Sequence, residues 1–162
     1  MRLSEGVEWG LHCVTLVALL PPGAALPATR LAEYHDVPTA YLAKHLQALS
    51  RAGVLEAVPG PRGGYRLARP APDITVLEVV EVIDGVDPAF RCTEIRRRGP
   101  ARLPAREYRV PCSIHVVMNR ADAAWRAELA RTSIADIVAM LATTAPPPAL
   151  EKGLRWFQEV LA

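Results

Sequence analysis

Residues 29–67, TRLAEYHDVPTAYLAKHLQALSRAGVLEAVPGPRGGYRL, restrict the possible folds more than any other stretch of this chain. A short helical segment around Thr29 to His35 runs into DVPT, where Pro38 cannot continue a helix. A second helical segment follows from Thr39 to Arg51, with Leu42, Leu46 and Leu49 at helical spacing and Ala52-Gly53 as its stop. Two short extended runs, VLEAV and YRLAR, are then joined by PGPRGG, a stretch whose proline and glycines demand a turn. Two helices about a tight turn with a hairpin directly behind them make a winged helix-turn-helix outline.

The flanking segments complete a mainly α (α+β) fold class. Residues 4–20 read as a helix, with Ser4 as N-cap, Glu5 and Glu8 in the first turn, and Val7, Leu11, Val14 and Ala18 on one face. TVLEVVEVIDG reads as another, from near Thr75 to Gly85. From Ser113 a long helix is expected, its stripe formed by Ile114, Val117, Met118, Ala121, Ala124, Trp125 and Leu129. Thr132 or Ser133 then caps IADIVAML, with Asp136 as the acidic partner of a capping box. TTAPPPAL reads as a linker and EKGLRWFQEVLA as a short terminal helix. The expected units are residues 1–86, the winged helix-turn-helix; 87–112, a loop; 113–143, the long helix and its successor; and 144–162, a linker with a helix of unassigned role.

In such a fold the early residues of the second helix face base edges in the major groove. Here those are Thr39, Ala40, Tyr41 and Lys44. Thr39 and Tyr41 can hydrogen-bond to phosphate or base, and Lys44 can reach a phosphate or a guanine. Arg62 at the hairpin tip suits the narrow, negative minor groove. The bland alternative is an amphipathic helix followed by an ordinary turn. Double-stranded DNA is the expected partner.

The chain has 162 residues, half of them hydrophobic, with a net charge of only +2. That fits an ordinary globular protein rather than a disordered one. The longest apolar run, LHCVTLVALL, is too short for a membrane span and lacks the flanks of a signal peptide. Three widely spaced cysteines do not resemble a secreted disulfide framework, so a cytoplasmic location is expected. No nucleophile motif, phosphate loop or paired-carboxylate pattern points to an enzyme.

The distribution of charge is less ordinary. Between Phe90 and Val110 lie seven arginines and two glutamates, and Cys92 and Cys112 bracket most of that segment. Two thiolates rarely complete a metal site, so further donors must come from elsewhere. In the first helix Glu8 and His12 are four apart, which stacks them on one helical face within reach of a common ion. They could equally form a surface Glu–His hydrogen bond. Cys13 points about 100° away from His12 and sits in an apolar stretch, as a core cysteine would. His115, three residues after Cys112, could join both cysteines and one more ligand in a structural zinc site. The two cysteines could also be idle thiols in a mobile loop.

The stretch from LAEYHDVPTAYLAKHL through GPRGGYRLARP, followed by ITVLEVVEVIDG and a cysteine-bearing loop before a long helix, resembles the IscR/NsrR family of winged-helix iron–sulfur regulators. The resemblance covers residues 1 to about 142. It implies a homodimer with crossing long helices, a palindromic operator and a 2Fe–2S cluster that tunes DNA binding. Many members carry three cysteines close together in the loop, whereas this chain has two, with nineteen residues between them. The pattern is closest to RsrR-type regulators, whose glutamate, histidine and two cysteines match Glu8, His12, Cys92 and Cys112. That likeness implies that one subunit's first helix supplies Glu8 and His12 to the loop cysteines of the other. Such a ligand set carries one negative charge fewer than four thiolates, which raises the expected reduction potential. The loop arginines push the same way, although most are expected to be solvated.

Overall fold

The computed structural model describes residues 3–162; the first two residues of the expected 1–86 unit lie outside it. The order of elements is α1 (Glu5–Ala18), α2 (Ala28–His35), α3 (Thr39–Arg51), β1 (Leu55–Val58), β2 (Gly64–Leu67), α4 (Val76–Asp84), α5 (Ser113–Arg131), α6 (Ile134–Thr144) and α7 (Pro147–Leu161). None of the helices among the described residues is long and apolar enough to cross a membrane.

Helix α1 is the common wall. Cys13, Val14, Leu16 and Val17 on its inner side meet Leu31 of α2, Leu42, Leu46 and Leu49 of α3, Val79 of α4 and Ile134 of α6 in one buried cluster. Each fully buried aliphatic side chain there contributes about 1.5–3 kcal/mol. Ser4 occupies the N-cap position of α1, but its hydroxyl does not cap the helix. It bonds to the Asp84 carboxylate at the end of α4, which also accepts the Ser4 N–H at 2.9 Å. The expected helix of residues 4–20 is therefore shorter, because Leu19 already closes it before Pro21.

The α2–α3 turn is tight because Asp36 adopts the left-handed conformation (φ 50°), which aspartate tolerates better than most residues. The Val37 N–H then donates back to the Ala32 carbonyl at 3.0 Å, and Pro38 opens α3. Strands β1 and β2 pair antiparallel, Leu55 opposite Leu67 and Val58 opposite Gly64. Leu26 bridges onto the far side of β2, donating to the Tyr65 carbonyl at 3.0 Å and accepting the Tyr65 N–H at 2.7 Å. The wing is thereby tied to the segment entering α2.

Both glycines of the RGGY sequence are required by packing. A Cβ on Gly63 would stand 2.2 Å from the Val58 carbonyl oxygen, and one on Gly64 (φ 151°) 2.2 Å from the Leu26 carbonyl carbon.

Two capping boxes fix the next elements. Thr75 and Glu78 start α4, and Ser133 with Asp136 starts α6 as expected from the sequence. The two starts are joined, because Ile134 N–H donates to the Ile74 carbonyl and Val76 N–H to the Thr132 carbonyl, both at 2.9 Å.

Helix α5 follows its predicted span, but its apolar stripe is divided. Trp125 and Leu129 pack against Val7, Val76 and Val80. Ile114, Val117 and Met118 are 63%, 62% and 38% exposed.

The C-terminus departs from the predicted linker of residues 143–150. Helix α6 continues to Thr144 and α7 already begins at Pro147, leaving Ala145 and Pro146 between them. The prolines at the start of α7 are compatible with a helix because first-turn N–H groups have no intrahelical acceptor. Helix α7 is not a loose tail: Trp156, Phe157 and Val160 pack against the main core.

Replacing Gly64 with alanine is expected to lower stability by roughly 2–3 kcal/mol, since the new Cβ meets backbone rather than a movable side chain. Chemical denaturation of the two proteins at equal concentration measures the difference.

Candidate functional site

The surface of α3 opposite its three buried leucines presents Thr39, Ala40, Tyr41 and Lys44, all exposed. Tyr41 is 61% exposed, and the Lys44 ammonium lies 5.2 Å from its ring centroid. Arg62 is exposed at the tip of the β1–β2 hairpin. All five residues of the sequence-derived set are thus on the surface, on the two elements expected to carry them. Behind α3 a cleft of about 750 Å³ opens between α1, α4 and α5, lined by Trp9, Tyr41, His45 and Trp125. No cysteine lines it.

The loop before α5 is ordered by one arginine. Arg96 holds both Glu94 carboxylate oxygens, at 2.5 and 2.7 Å, and donates to the Val110 carbonyl at 3.2 Å. Its own carbonyl accepts the Tyr108 hydroxyl at 2.5 Å, and its guanidinium lies 5.3 Å from the Tyr108 ring. Tyr108 in turn accepts the Leu103 N–H at 2.9 Å. Arg96 is therefore a bolt across the loop, whereas Arg97, Arg98, Arg102, Arg106 and Arg109 are exposed as expected. A tyrosine and a glutamate set among arginines is the sequence signal for this bolt, a signal with no helical or strand period.

This closure brings Cys92 and Cys112 together. The Cys92 side chain neighbours the Cys112 sulfur, and Cys112 sits at the N-cap position of α5. The backbone N–H groups of His115 and Ile114 at the start of α5, with the nearby Arg96 charge, hold the Cys112 thiol below the usual range although partial burial opposes the shift. The Glu94 N–H donates to the Cys92 sulfur at 3.4 Å. The His115 ring has its Nε2 3.1 Å from the Asn119 amide nitrogen, and its Nδ1 is enclosed without a partner.

Glu8 and His12 stand exposed on the outer side of α1. No hydrogen bond joins them among the described residues, where the bland reading expected one. The His12 ring instead lies 5.4 Å from that of His35. Cys13 is fully buried, and burial pushes its thiol up to about 12, so it is a core residue rather than a donor. Among the described residues, no group of three or more histidine, cysteine or acidic side chains converges to hold a metal. The cysteine pair and the Glu8–His12 pair therefore do not converge within one chain.

Residues 3–140 match the family model Rrf2, described as an iron-dependent transcriptional regulator. The HTH-type regulator YwgB of Bacillus subtilis (strain 168) is 32% identical over 85 residues, 52% of this chain and 54% of that protein. The match thus spans about half the length of that relative. Among solved structures, CymR, the global cysteine regulator of B. subtilis, superposes with a TM-score of 0.67 at 19% identity, over 86% of this chain and 98% of that one. IscR of T. potens gives 0.67 at 20% identity over 93% and 96%. A transcriptional regulator of Listeria innocua gives 0.69 at 18% identity over 86% and 87%. At these identities the structural likeness is one of fold. The winged helix-turn-helix and the family match over most of the chain lead to one assignment: the protein belongs to the Rrf2 family of transcriptional regulators.

Proposed function

We propose that this protein is a dimeric, sequence-specific DNA-binding regulator whose affinity follows the redox state of a 2Fe–2S cluster. Cys92 and Cys112 of one protomer and Glu8 and His12 of its partner hold the cluster, as in the RsrR-type branch of the IscR/NsrR regulators. The observation that carries this reading is a pair of incomplete donor sets: two neighbouring thiols in the loop and two further donors on α1, with no three donors converging on one metal position among the described residues. The exposed apolar start of α5 supports association of two copies, because Ile114 and Val117 are left mostly uncovered by the described residues. A symmetric dimer in turn calls for a palindromic operator with half-sites about one helical turn apart.

The donor chemistry fits the group. A 2Fe–2S cluster needs four protein ligands, and histidine can take the place of cysteine. Cys112 suits ligation because its place at the start of α5, beside Arg96, favours the thiolate. Arg96 holds the loop closed around both sulfurs and adds a positive charge beside them. When bound, the cluster supplies a reversible one-electron couple. Arg96 and the neutral imidazole of His12 both favour the more negative, reduced state. Helix α1 is the link to DNA, since it carries Glu8 and His12 and packs directly against α3.

A second reading has its own observation. The enclosed, unpartnered Nδ1 of His115 lies on the first turn of α5 beside Cys112, where a structural zinc could use Cys92, Cys112 and His115.

Metal analysis separates the two. Protein purified without oxygen is expected to be red-brown with about two irons and two sulfides per subunit. Substituting His12 by alanine alters its visible spectrum, and substituting His115 does not. Zinc without iron, lost in His115→Ala, would establish the second reading.

In the metal-free native protein, iodoacetamide at neutral pH is expected to label Cys112 before Cys13. The Cys112 thiol is held below the usual range and is only half-buried, while burial pushes the Cys13 thiol up to about 12. Peptide mass mapping over time gives the order.

For DNA, Lys44→Ala and Arg62→Ala are each expected to weaken binding to the operator. A residue that contacts phosphate lowers the log–log salt slope by about 1 when removed. Fluorescence anisotropy at several salt concentrations reads both quantities.

A further inference from the structure

The C-terminal helix α7 lies beyond the residues matched by the family model, and nothing in the proposed switch uses it. Its location gives it a role. Trp156 of α7 meets Tyr34 with ring centroids 4.6 Å apart, and Tyr34 meets the neighbouring ring of His35 at 5.0 Å. His35 meets His12 at 5.4 Å. These separations are those of contacting aromatic pairs, so an unbroken row of rings runs from α7 to the outer face of α1.

The row is held by packing. The Nε2 atom of His35 is enclosed and has no hydrogen-bond partner among the described residues, so no directional bond holds that edge of the ring. Its position depends on Tyr34 on one side and His12 on the other. Tyr34 is fixed from α7: Trp156 packs across it, and Gly153 passes so close that an added Cβ would lie 3.2 Å from the tyrosine hydroxyl. Trp156 is anchored in turn by Phe157, 5.5 Å away, and both pack against the main core.

An exposed histidine on a helix surface has several rotamers open to it. A metal donor has to be held within about 0.5 Å of its working position by neighbours that are themselves fixed. We infer that α7 acts, through Trp156, Tyr34 and His35, as the positioning element for His12 in the proposed centre. His35 and Tyr34 support the ligand without contacting the metal. This rests on the function proposed above, since it takes His12 to be a donor.

The test uses the full chain with its cluster and three variants. Trp156→Ala removes the anchor. Gly153→Ala adds one methyl against the Tyr34 hydroxyl while improving helix propensity, so α7 stays folded. Gly153→Ala combined with Tyr34→Phe removes the hydroxyl that the methyl would crowd. Midpoint potential by spectroelectrochemistry and the visible circular dichroism of the cluster are measured for each. In the cluster-free proteins, the ring-proton resonances of His12 are followed by NMR.

The expected result is a shifted potential, an altered cluster spectrum and moved His12 resonances in both single variants, with the double variant returning toward the parent. A parent that binds the cluster, with folded variants matching it in potential, spectrum and resonances, would overturn the positioning role and leave the proposed function standing. A parent that takes up no cluster overturns the function and this inference together. If Trp156→Ala fails to fold, the Gly153→Ala pair alone decides between these outcomes.

Discussion

Helix α1 serves the core and the surface at once, and the remaining elements are arranged around that constraint. Its inner side sends Val7, Cys13, Val14, Leu16 and Val17 into the packed interior, while Glu8 and His12 stay at the surface. Fourteen residues at 3.6 per turn are enough to keep two such faces apart. The close seating of α1 depends on Gly6 and Gly10. A Cβ at Gly6 would stand 2.5 Å from the His45 ring of α3, and one at Gly10 2.3 Å from the Ile83 side chain of α4. The helix that carries two of the proposed ligands is thus in direct contact with the helix expected to read DNA.

That contact limits how a signal could travel. Helix α3 is fixed by Leu42, Leu46 and Leu49, each with no exposed surface. Interiors packed to this density do not deform smoothly. A change at His12 therefore cannot bend α3 by itself. It has to shift α1 and α3 as a packed pair, or shift the turn at Asp36, whose neighbours Tyr34 and His35 lie in the ring row behind His12. Both routes end at the same element, since the Asp36 turn sets where α3 begins.

The parts of the fold that were legible in the sequence are those governed by local rules. Pro38, Gly53 and the RGGY glycines mark their turns, and the leucine period of α3 predicts its burial without help from the rest of the chain. The Ser133–Asp136 box is a four-residue signal and stands where the residue types put it. What was not legible depends on contacts distant in sequence. Ser4 has the right identity for a cap, yet Asp84, eighty residues away, takes its hydroxyl. The period of α5 gives one stripe, but only the fold divides it into a covered half at Trp125 and Leu129 and a bare half at Ile114 and Val117. Arg96 looks like its six neighbours in the loop until Tyr108 and Val110 close around it. At the candidate site the same boundary holds. Spacing alone puts Glu8 above His12, whereas the meeting of Cys92 with Cys112 needs nineteen residues of loop to fold back.

On the proposed reading, association and ligation share one helix. Cys112 is the N-cap residue of α5, and the bare apolar stripe begins two residues later at Ile114. Docking that stripe against a second copy would carry the thiol toward whatever the partner presents there. The two contributions differ in kind. Burial of Ile114, Val117 and Met118 is non-directional and scales with area, so it favours a dimer whether or not a metal is present. Ligation is directional and asks for a particular separation between the loop of one protomer and α1 of the other. A centre built this way need not decide whether the dimer exists. It decides which relative orientation of the two α1 helices has the lowest energy, and with it the spacing of two α3 helices packed against them. A regulator reading two half-sites about a helical turn apart is sensitive to that spacing. A one-electron change at the boundary between protomers could then alter affinity for DNA without dissociating the dimer.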